Sequence, residues 1–160
     1  MTRILAAGMG EILGSPDAVR DRFMVDGADT AGRLAVVEHL MPPRGLAAPL
    51  HFHTLEDEFS YVLEGRVGAR LGDEEVVGEI GDLIFKPRGQ WHTFWNAGDT
   101  PARVLELISP AGLEQLFREL GQRGDDIDPE TLAGLAETYG CQVDFEATMP
   151  IVERHGLSFG

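Results

Sequence analysis

The chain has 160 residues, of which 43% are hydrophobic and 25% charged, and these are the proportions of one ordinary globular domain. Its formal net charge of −14 argues against binding to nucleic acid or anionic membranes through a basic surface, because both are polyanions that such a chain would repel. A single cysteine, Cys141, excludes an intramolecular disulfide. The sequence has neither a signal-peptide pattern at its N-terminus nor a long apolar run, so we expect a cytoplasmic protein.

The first predicted elements are two strands. A short apolar strand over residues 22–25 is followed by turn-forming residues 26–29. A longer strand over residues 33–41 then ends at Pro42-Pro43. We interpret both as strands that lead into a larger β-structure.

Residues 45–109 continue with short strand-like runs. Glycine, aspartate and proline residues interrupt these runs at regular intervals, for example at Gly65, Gly81 and Pro87. Many short strands with regular turn signals favour an antiparallel sandwich or barrel. The predicted fold class is therefore all-β for this part of the chain.

The hydrophobic period changes after Ser109. Ser109 is a good N-cap and Pro110 suits the first helical position, so we predict a helix that ends near Gly121. Apolar residues recur at helical spacing within it: Leu113, Leu116, Phe117 and Leu120.

A second helix is predicted from its cap. Asp128 precedes Pro129, and Gly140 ends the periodic stretch. Residues 141–160 show no assignable pattern. The predicted organisation is a β-barrel with lead-in strands over residues 1–109 and a helical extension over residues 110–160 that packs on it.

Two motifs in the central region carry the candidate chemistry. The first reads G-x5-H-x-H-x4-E-x6-G from Gly45 to Gly65, and the second reads G-x5-P-x-G-x2-H-x3-N from Gly81 to Asn96. With ordinary residue frequencies, ten fixed positions match by chance with a probability on the order of 10⁻¹³. Chance is therefore excluded as an explanation.

The spacing itself predicts a metal site. His51 and His53 lie two residues apart, so both imidazoles project from the same face of a strand. Glu58 begins a run with strong β-propensity, and His92 opens another strand after a turn. Imidazole nitrogens and one carboxylate suit a first-row divalent ion. From the residues alone, Glu58 is either a metal ligand or a base beside the metal.

Together the two motifs resemble those of the cupin superfamily. The resemblance implies a single-domain jelly-roll barrel that binds one divalent Fe, Mn, Ni, Co, Cu or Zn ion. It places the ligands at His51, His53, Glu58 and His92. Phrases such as DEFSYVLEG and WHTFWN are also similar to those of bacterial quercetin 2,3-dioxygenase-like cupins.

Strand alternation predicts which side chains line the pocket. With Glu58 facing inward, Ser60 and Val62 share its face, and Phe94 shares the face of His92. These three residues predict a mostly apolar substrate pocket. Alternation leaves open whether Val104 and Glu106, or Leu105 and Leu107, face inward on the next strand.

The outer face of the same strand is also apolar. Phe59, Tyr61 and Leu63 must be covered by the C-terminal helices or by a partner subunit, and we expect a homodimer.

Four further residues are expected to lie outside the site. His39 and His155 are predicted to be structural or exposed, and Lys86 and Arg88 to lie at the surface rather than against an anionic substrate.

Three functions fit these observations. The first is a dioxygenase that acts on a small aromatic or enolisable molecule, with Glu58 as the catalytic base. The second is a metal-dependent isomerase or cyclase that needs no oxygen. The third is a barrel that binds a small molecule without turnover.

Overall fold

The computed structural model describes residues 4–124 and 126–159 and confirms the all-β cupin jelly roll with C-terminal helices. Two sheets face each other, and the first has six strands in the order β1-β2-β3-β11-β6-β9. Its strands are β1 Ile12–Leu13, β2 Arg20–Val25, β3 Ala35–Met41, β6 Asp57–Glu64, β9 Leu83–Lys86 and β11 Ala102–Ser109. Every pairing in this sheet is antiparallel, so alternate residues of each strand face the interior.

The second sheet is built around a central strand, β10. One edge of β10 pairs with β7, and its other edge pairs with β5 and β4, which lie one after the other. The strands are β4 Gly45–Leu46, β5 Leu50–His53, β7 Val67–Leu71, β8 Glu74–Gly78, β10 His92–Asn96, β12 Cys141–Asp144 and β13 Ser158–Phe159.

Three α-helices and one 3-10 helix complete the described structure. They are the 3-10 helix Gly27–Thr30, α1 Leu113–Arg123, α2 Pro129–Thr138 and α3 Phe145–His155. No helix in the described part of the chain has the length and apolar character needed to cross a membrane. Side chains of α1 and α2 pack with β2, β3 and β12 in one apolar cluster, and α3 packs behind the second sheet.

The start of α1 differs from the prediction. Ser109 is the last residue of β11, and its hydroxyl donates a hydrogen bond to the Arg33 carbonyl. The helix begins only at Leu113, after Gly112. The pairing of Ser109 within the sheet and this hydrogen bond hold it in the strand, so the N-cap prediction is wrong. The predicted cap of α2 is confirmed, because the Asp128 carboxylate accepts from the Thr131 amide at 2.9 Å.

The segment after residue 109 is not purely helical. Strand β12 pairs with β5 at four positions, with Cys141 opposite His53, and β13 pairs in parallel with β4. The C-terminal residues that have no clear sequence pattern therefore extend the second sheet at both ends.

Candidate metal centre and cavity

Four donor side chains converge between the two sheets. Donor atoms of His51, His53, Glu58 and His92 lie within 4.8 Å of one another, and all four residues are buried. The Nε2 atoms of His53 and His92 lie 3.0 and 3.1 Å from Oε2 of Glu58. Atoms bound about 2.1 Å from one ion are about 3.0 Å apart at adjacent octahedral corners. The cluster could therefore hold a divalent ion.

Strand pairing explains why these residues meet. His51 and His92 are directly opposite each other on β5 and β10, and His53 lies two residues further on the same face of β5. Glu58 projects from β6 in the facing sheet. Gly89 turns the chain before His92 with a φ of +77°, and its amide donates to the His53 carbonyl at 2.7 Å.

Backbone carbonyls orient two of the imidazoles. Nδ1 of His51 lies 2.6 Å from the Pro49 carbonyl, and Nδ1 of His92 lies 3.1 Å from that of Gln90. When Nδ1 donates its proton to a carbonyl, Nε2 keeps a free lone pair that points at the cluster. Both histidines thus have the tautomer that a metal ligand requires.

The electrostatics of the cluster favour a charged carboxylate. Burial alone would raise the pKa of Glu58, but Lys86 and His53 outweigh it and hold the pKa well below its usual range. Burial lowers the pKa of His51 and of His92. At His53 the Glu58 carboxylate outweighs burial and raises the pKa to about 10. Metal ions bind a charged carboxylate and neutral imidazoles, so His53 would release its proton when an ion binds.

Lys86 lies inside the barrel, so the prediction of a surface lysine is wrong. Its side chain is fully buried, and Nζ lies 2.9 Å from Oε1 of Glu106 and 3.7 Å from Oε2 of Glu58. The ammonium also lies 4.1 Å from the centroid of the Phe94 ring. Lys86 is paired with Glu58 across β9 and β6, and the two carboxylates compensate its buried charge. Arg88, in contrast, is exposed and pairs with Asp57.

Glu106 and Val104, not Leu105 and Leu107, face the interior. Glu106 is fully buried, and its Oε2 accepts a hydrogen bond from the Ser60 hydroxyl at 2.7 Å. The partners that Lys86 and Ser60 provide explain how a carboxylate can occupy this position.

A large cavity opens beside the donor cluster. It has a volume of about 670 Å³ and includes His51, His53 and Glu58 in its wall. Most of the remaining wall is apolar, and much of it comes from the C-terminal segment, including Leu116, Phe117, Leu120, Leu132, Phe145 and Met149. This volume and lining suit a drug-sized apolar molecule with a few polar groups.

The three predicted pocket residues have different positions. Phe94 lines the cavity. Ser60 and Val62 face inward and are fully buried, but they are not among the lining residues. Ser60 instead bonds Glu106, and Val62 packs in an apolar cluster with Ile84.

His39 and its partner Asp21 are polar cavity residues that sequence reasoning missed. His39 is buried, lines the cavity, and its Nδ1 lies 2.7 Å from Oδ1 of Asp21. Burial by itself lowers the pKa of His39, but the carboxylates of Asp21 and Glu106 outweigh it and raise the pKa to about 10. The position of His39 two residues after the buried Val37 could have indicated that it faces inward, because alternate residues of a strand share a face. His155, as expected, lies outside the cavity, where Nε2 contacts Glu75 at 2.8 Å.

Comparison with known proteins agrees with this architecture. Residues 37–108 match the family described as "Cupin domain", and this stretch contains all four donor residues. This part of the chain is therefore similar to cupin domains in both sequence and fold.

Two similar proteins have names that refer to polyketide biosynthesis. The tetracenomycin polyketide synthase protein TcmJ of Streptomyces glaucescens is 40% identical over 81 residues, which are 51% of this chain and 52% of that protein. The chain thus spans about half the length of this curated relative. The structure of the polyketide cyclase RemF from Streptomyces resistomycificus is 29% identical, with a TM-score of 0.58 over 68% of this chain and 80% of RemF.

A third comparison concerns the fold alone. KdgF from Halomonas sp. has a TM-score of 0.62 at 16% identity and covers 72% of this chain and 99% of its own.

Proposed function

We propose that this protein is a metal-dependent cyclase that acts on a hydroxylated, enolisable aromatic compound of the polyketide type. The observation that carries the proposal is the opening of the donor cluster directly into a large apolar cavity. The similarity to TcmJ and RemF supports the substrate class.

The donor set supports the choice of metal. Three imidazole nitrogens and one carboxylate oxygen suit Zn, and also Fe, Mn, Ni, Co or Cu in the divalent state. A bound ion would supply Lewis-acid chemistry, by which it favours the enolate form of a ketone. The four side chains would leave room for a substrate oxygen, because the cavity reaches His51, His53 and Glu58.

The protein's own residues would then position the substrate and move protons. Apolar side chains of α1, α2 and α3 exclude water from the reacting carbons. Cyclisation forms a bond between an enolate carbon and a carbonyl carbon, and the proton removed from the first is returned to the oxygen of the second. The new hydroxyl then leaves as water together with a second proton from the enolisable carbon. The contacts of Glu58 with His53 and His92 both use Oε2, so we assign proton transfer to the other oxygen.

The geometry also supports a second candidate, a quercetinase-like dioxygenase. The cavity reaches three of the four donor residues, so a substrate and O2 would both have access to a bound ion. The third candidate is a protein that binds a small molecule without turnover. The experiment below distinguishes all three.

The decisive experiment compares products under argon and under air. Zinc-loaded protein is incubated with an aryl methyl 1,5-diketone, whose methyl carbon can close a six-membered ring on the aryl ketone. A nickel-loaded or iron-loaded sample is incubated with a flavonol. The cyclase proposal predicts a product that has lost one water and forms equally under argon. Oxygen uptake with the flavonol would instead establish the dioxygenase, and binding without any product would indicate a binding protein.

One variant separates the two roles of Glu58. Glu58→Gln keeps a coordinating oxygen but cannot take a proton at neutral pH. We expect it to lower activity by at least about 100-fold while the zinc content falls much less. A complete loss of zinc in Glu58→Gln, with zinc retained in His92→Ala, would contradict the role as base.

A further inference from the structure

Apart from the metal centre, the cavity contains a second polar group. Asp21 on β2 and His39 on β3 are directly paired across the two strands, and both line the cavity. Oδ1 of Asp21 lies 2.7 Å from Nδ1 of His39. Neither residue belongs to the two sequence motifs that provide the donor cluster.

The structure holds His39 rigidly. Its Nε2 lies 3.5 Å from Oε2 of Glu106, a carboxylate that Lys86 and Ser60 already fix. The imidazole also packs between Phe94 and Phe117, with ring centroids 5.4 and 5.6 Å away. Two neighbouring carboxylates favour the protonated imidazole, and its contact with Oδ1 holds Asp21 in one orientation.

Asp21 keeps one acceptor free. In residues 4–124 and 126–159, nothing hydrogen-bonds to its second oxygen, and its side chain retains 19% of its exposure. A carboxylate can only accept hydrogen bonds, and its bonds to donors are strengthened by its charge. Apart from the donor cluster and the exposed Glu146, the rest of the wall is mostly apolar, so this oxygen suits an O–H group of a ligand.

Strand register gives the separation from the metal centre. Glu58 pairs with Ile108 on β11, and His39 pairs with Val104 on the other side of the same strand. Asp21 pairs with His39 on the far side of β3, so Glu58 and Asp21 are three strands apart and offset by four residues. Their Cα atoms are therefore on the order of 20 Å apart. Because inward side chains shorten this span, a molecule of about three fused rings would reach from one site to the other.

We propose that Asp21, positioned by His39, binds a hydroxyl group at the far end of an elongated aromatic substrate whose near end lies at the His51, His53 and Glu58 cluster. This inference rests on the proposed aromatic substrate class and adds its length and its second polar group. Asp21 is the binding residue, and His39 is a positioning residue that acts through it.

Two probes test the proposal with zinc-loaded protein. The first is an anthraquinone with one hydroxyl beside a carbonyl, which is a metal-binding edge. The second carries one more hydroxyl on the distal ring. We expect the distal hydroxyl to tighten binding at least about tenfold in the wild type, as measured by calorimetry, because it bonds a charged acceptor.

Variants assign that gain to Asp21. Asp21→Asn should lose the gain while it binds zinc and the first probe as the wild type does. The exposed Asp17→Asn is the matched control and should keep the gain. His39→Gln, whose amide can still donate to Asp21, should keep more of the gain than His39→Leu, a split that a merely structural role would not produce.

Each outcome is decisive. Equal binding of both probes by the wild type, or a gain retained in Asp21→Asn, overturns the subsite and leaves the proposed function intact. Zinc binding with no binding of either probe overturns the aromatic substrate class, and the subsite with it. If circular dichroism shows that Asp21→Asn is unfolded, the comparison of His39→Gln with His39→Leu decides instead.

Discussion

The two faces of strands β6, β9 and β11 have opposite characters. Their inner face carries the buried charges of Glu58, Lys86 and Glu106, whereas the outer face carries Phe59 and Phe85. Binary patterning normally places apolar side chains inside and charges outside. We propose that binding shapes both faces of these strands, the inner one through a metal and substrate and the outer one through another protein surface.

Pairing makes the inner face stable. Lys86 lies between Glu106 and Glu58, and burial, which would raise the pKa of Glu106, is outweighed by Lys86, so that this pKa is lowered. Buried charges that have partners are tolerated, but removal of one partner leaves an uncompensated charge.

On the outer face, several apolar side chains are left exposed by the rest of the described chain. Phe59 and Phe85 stack with centroids 4.9 Å apart and an interplanar angle of 16°. Tyr61, Leu83 and Phe85 are 40%, 56% and 48% exposed. The C-terminal helices pack elsewhere, so we propose that a second copy of the chain covers this surface in a homodimer.

The largest expected effect is at the metal end of the inner face. His53→Ala removes one of the four converging donors, and we expect it to lose nearly all of the one divalent ion per chain that the wild type should carry. Elemental analysis of both proteins measures this. His155→Ala, which changes a histidine outside the cavity, should retain the metal, and equal near-zero metal in wild type and His53→Ala would contradict the site.

Lys86→Met breaks the charge compensation itself. It leaves Glu106 and Glu58 buried without their shared cation, and we expect the free energy of unfolding to fall by about 3–5 kcal/mol. Urea denaturation measures the change. Adding Glu106→Gln should restore part of the loss, and a Lys86→Met variant within about 0.5 kcal/mol of the wild type would show that the pairing is unimportant.

Phe85→Glu tests the outer face. A carboxylate in an apolar interface must be desolvated without a partner, so we expect the dimer to dissociate at least about tenfold more readily. Light scattering on a size-exclusion column distinguishes a dimer from the 17.4 kDa chain. Val77→Glu, at a residue 51% exposed on the other sheet, is the control. A monomeric wild type would refute the proposed role of this face.

The last expected effect is a gradual change with pH on the inner face. The pKa of His39 rises from 6.5 to about 10 on folding, so its stabilisation is complete below pH 6.5 and is lost as the pH rises through about 10. Between these limits, wild type should lose stability relative to His39→Gln by up to about 1.4 kcal/mol per pH unit. Urea unfolding at several pH values gives the change in the free energy of unfolding with pH for each protein. If the two proteins gave parallel curves, the ion pair of His39 with Asp21 would be contradicted.

Sequence periodicity predicted much of the fold because the local pattern of many segments agrees with the element that they form in the structure. The two motifs placed His51 and His53 on one face of a strand, and the structure has them there in β5. The cap of α2 is also local, since Asp128 bonds Thr131 only three residues away. In contrast, β12 has no strong pattern of its own and forms a strand only because β5 offers it hydrogen bonds.

The sequence by itself therefore determined the donor residues, because a period of two in strands and ten fixed motif positions need no long-range information. Only the tertiary structure decided which other charges face the cavity. Lys86 and His39 are inward because Glu106 and Asp21, distant in sequence, compensate their charges there. Residue type alone predicts the surface for a lysine, and only partners brought together by three neighbouring strands reverse that preference.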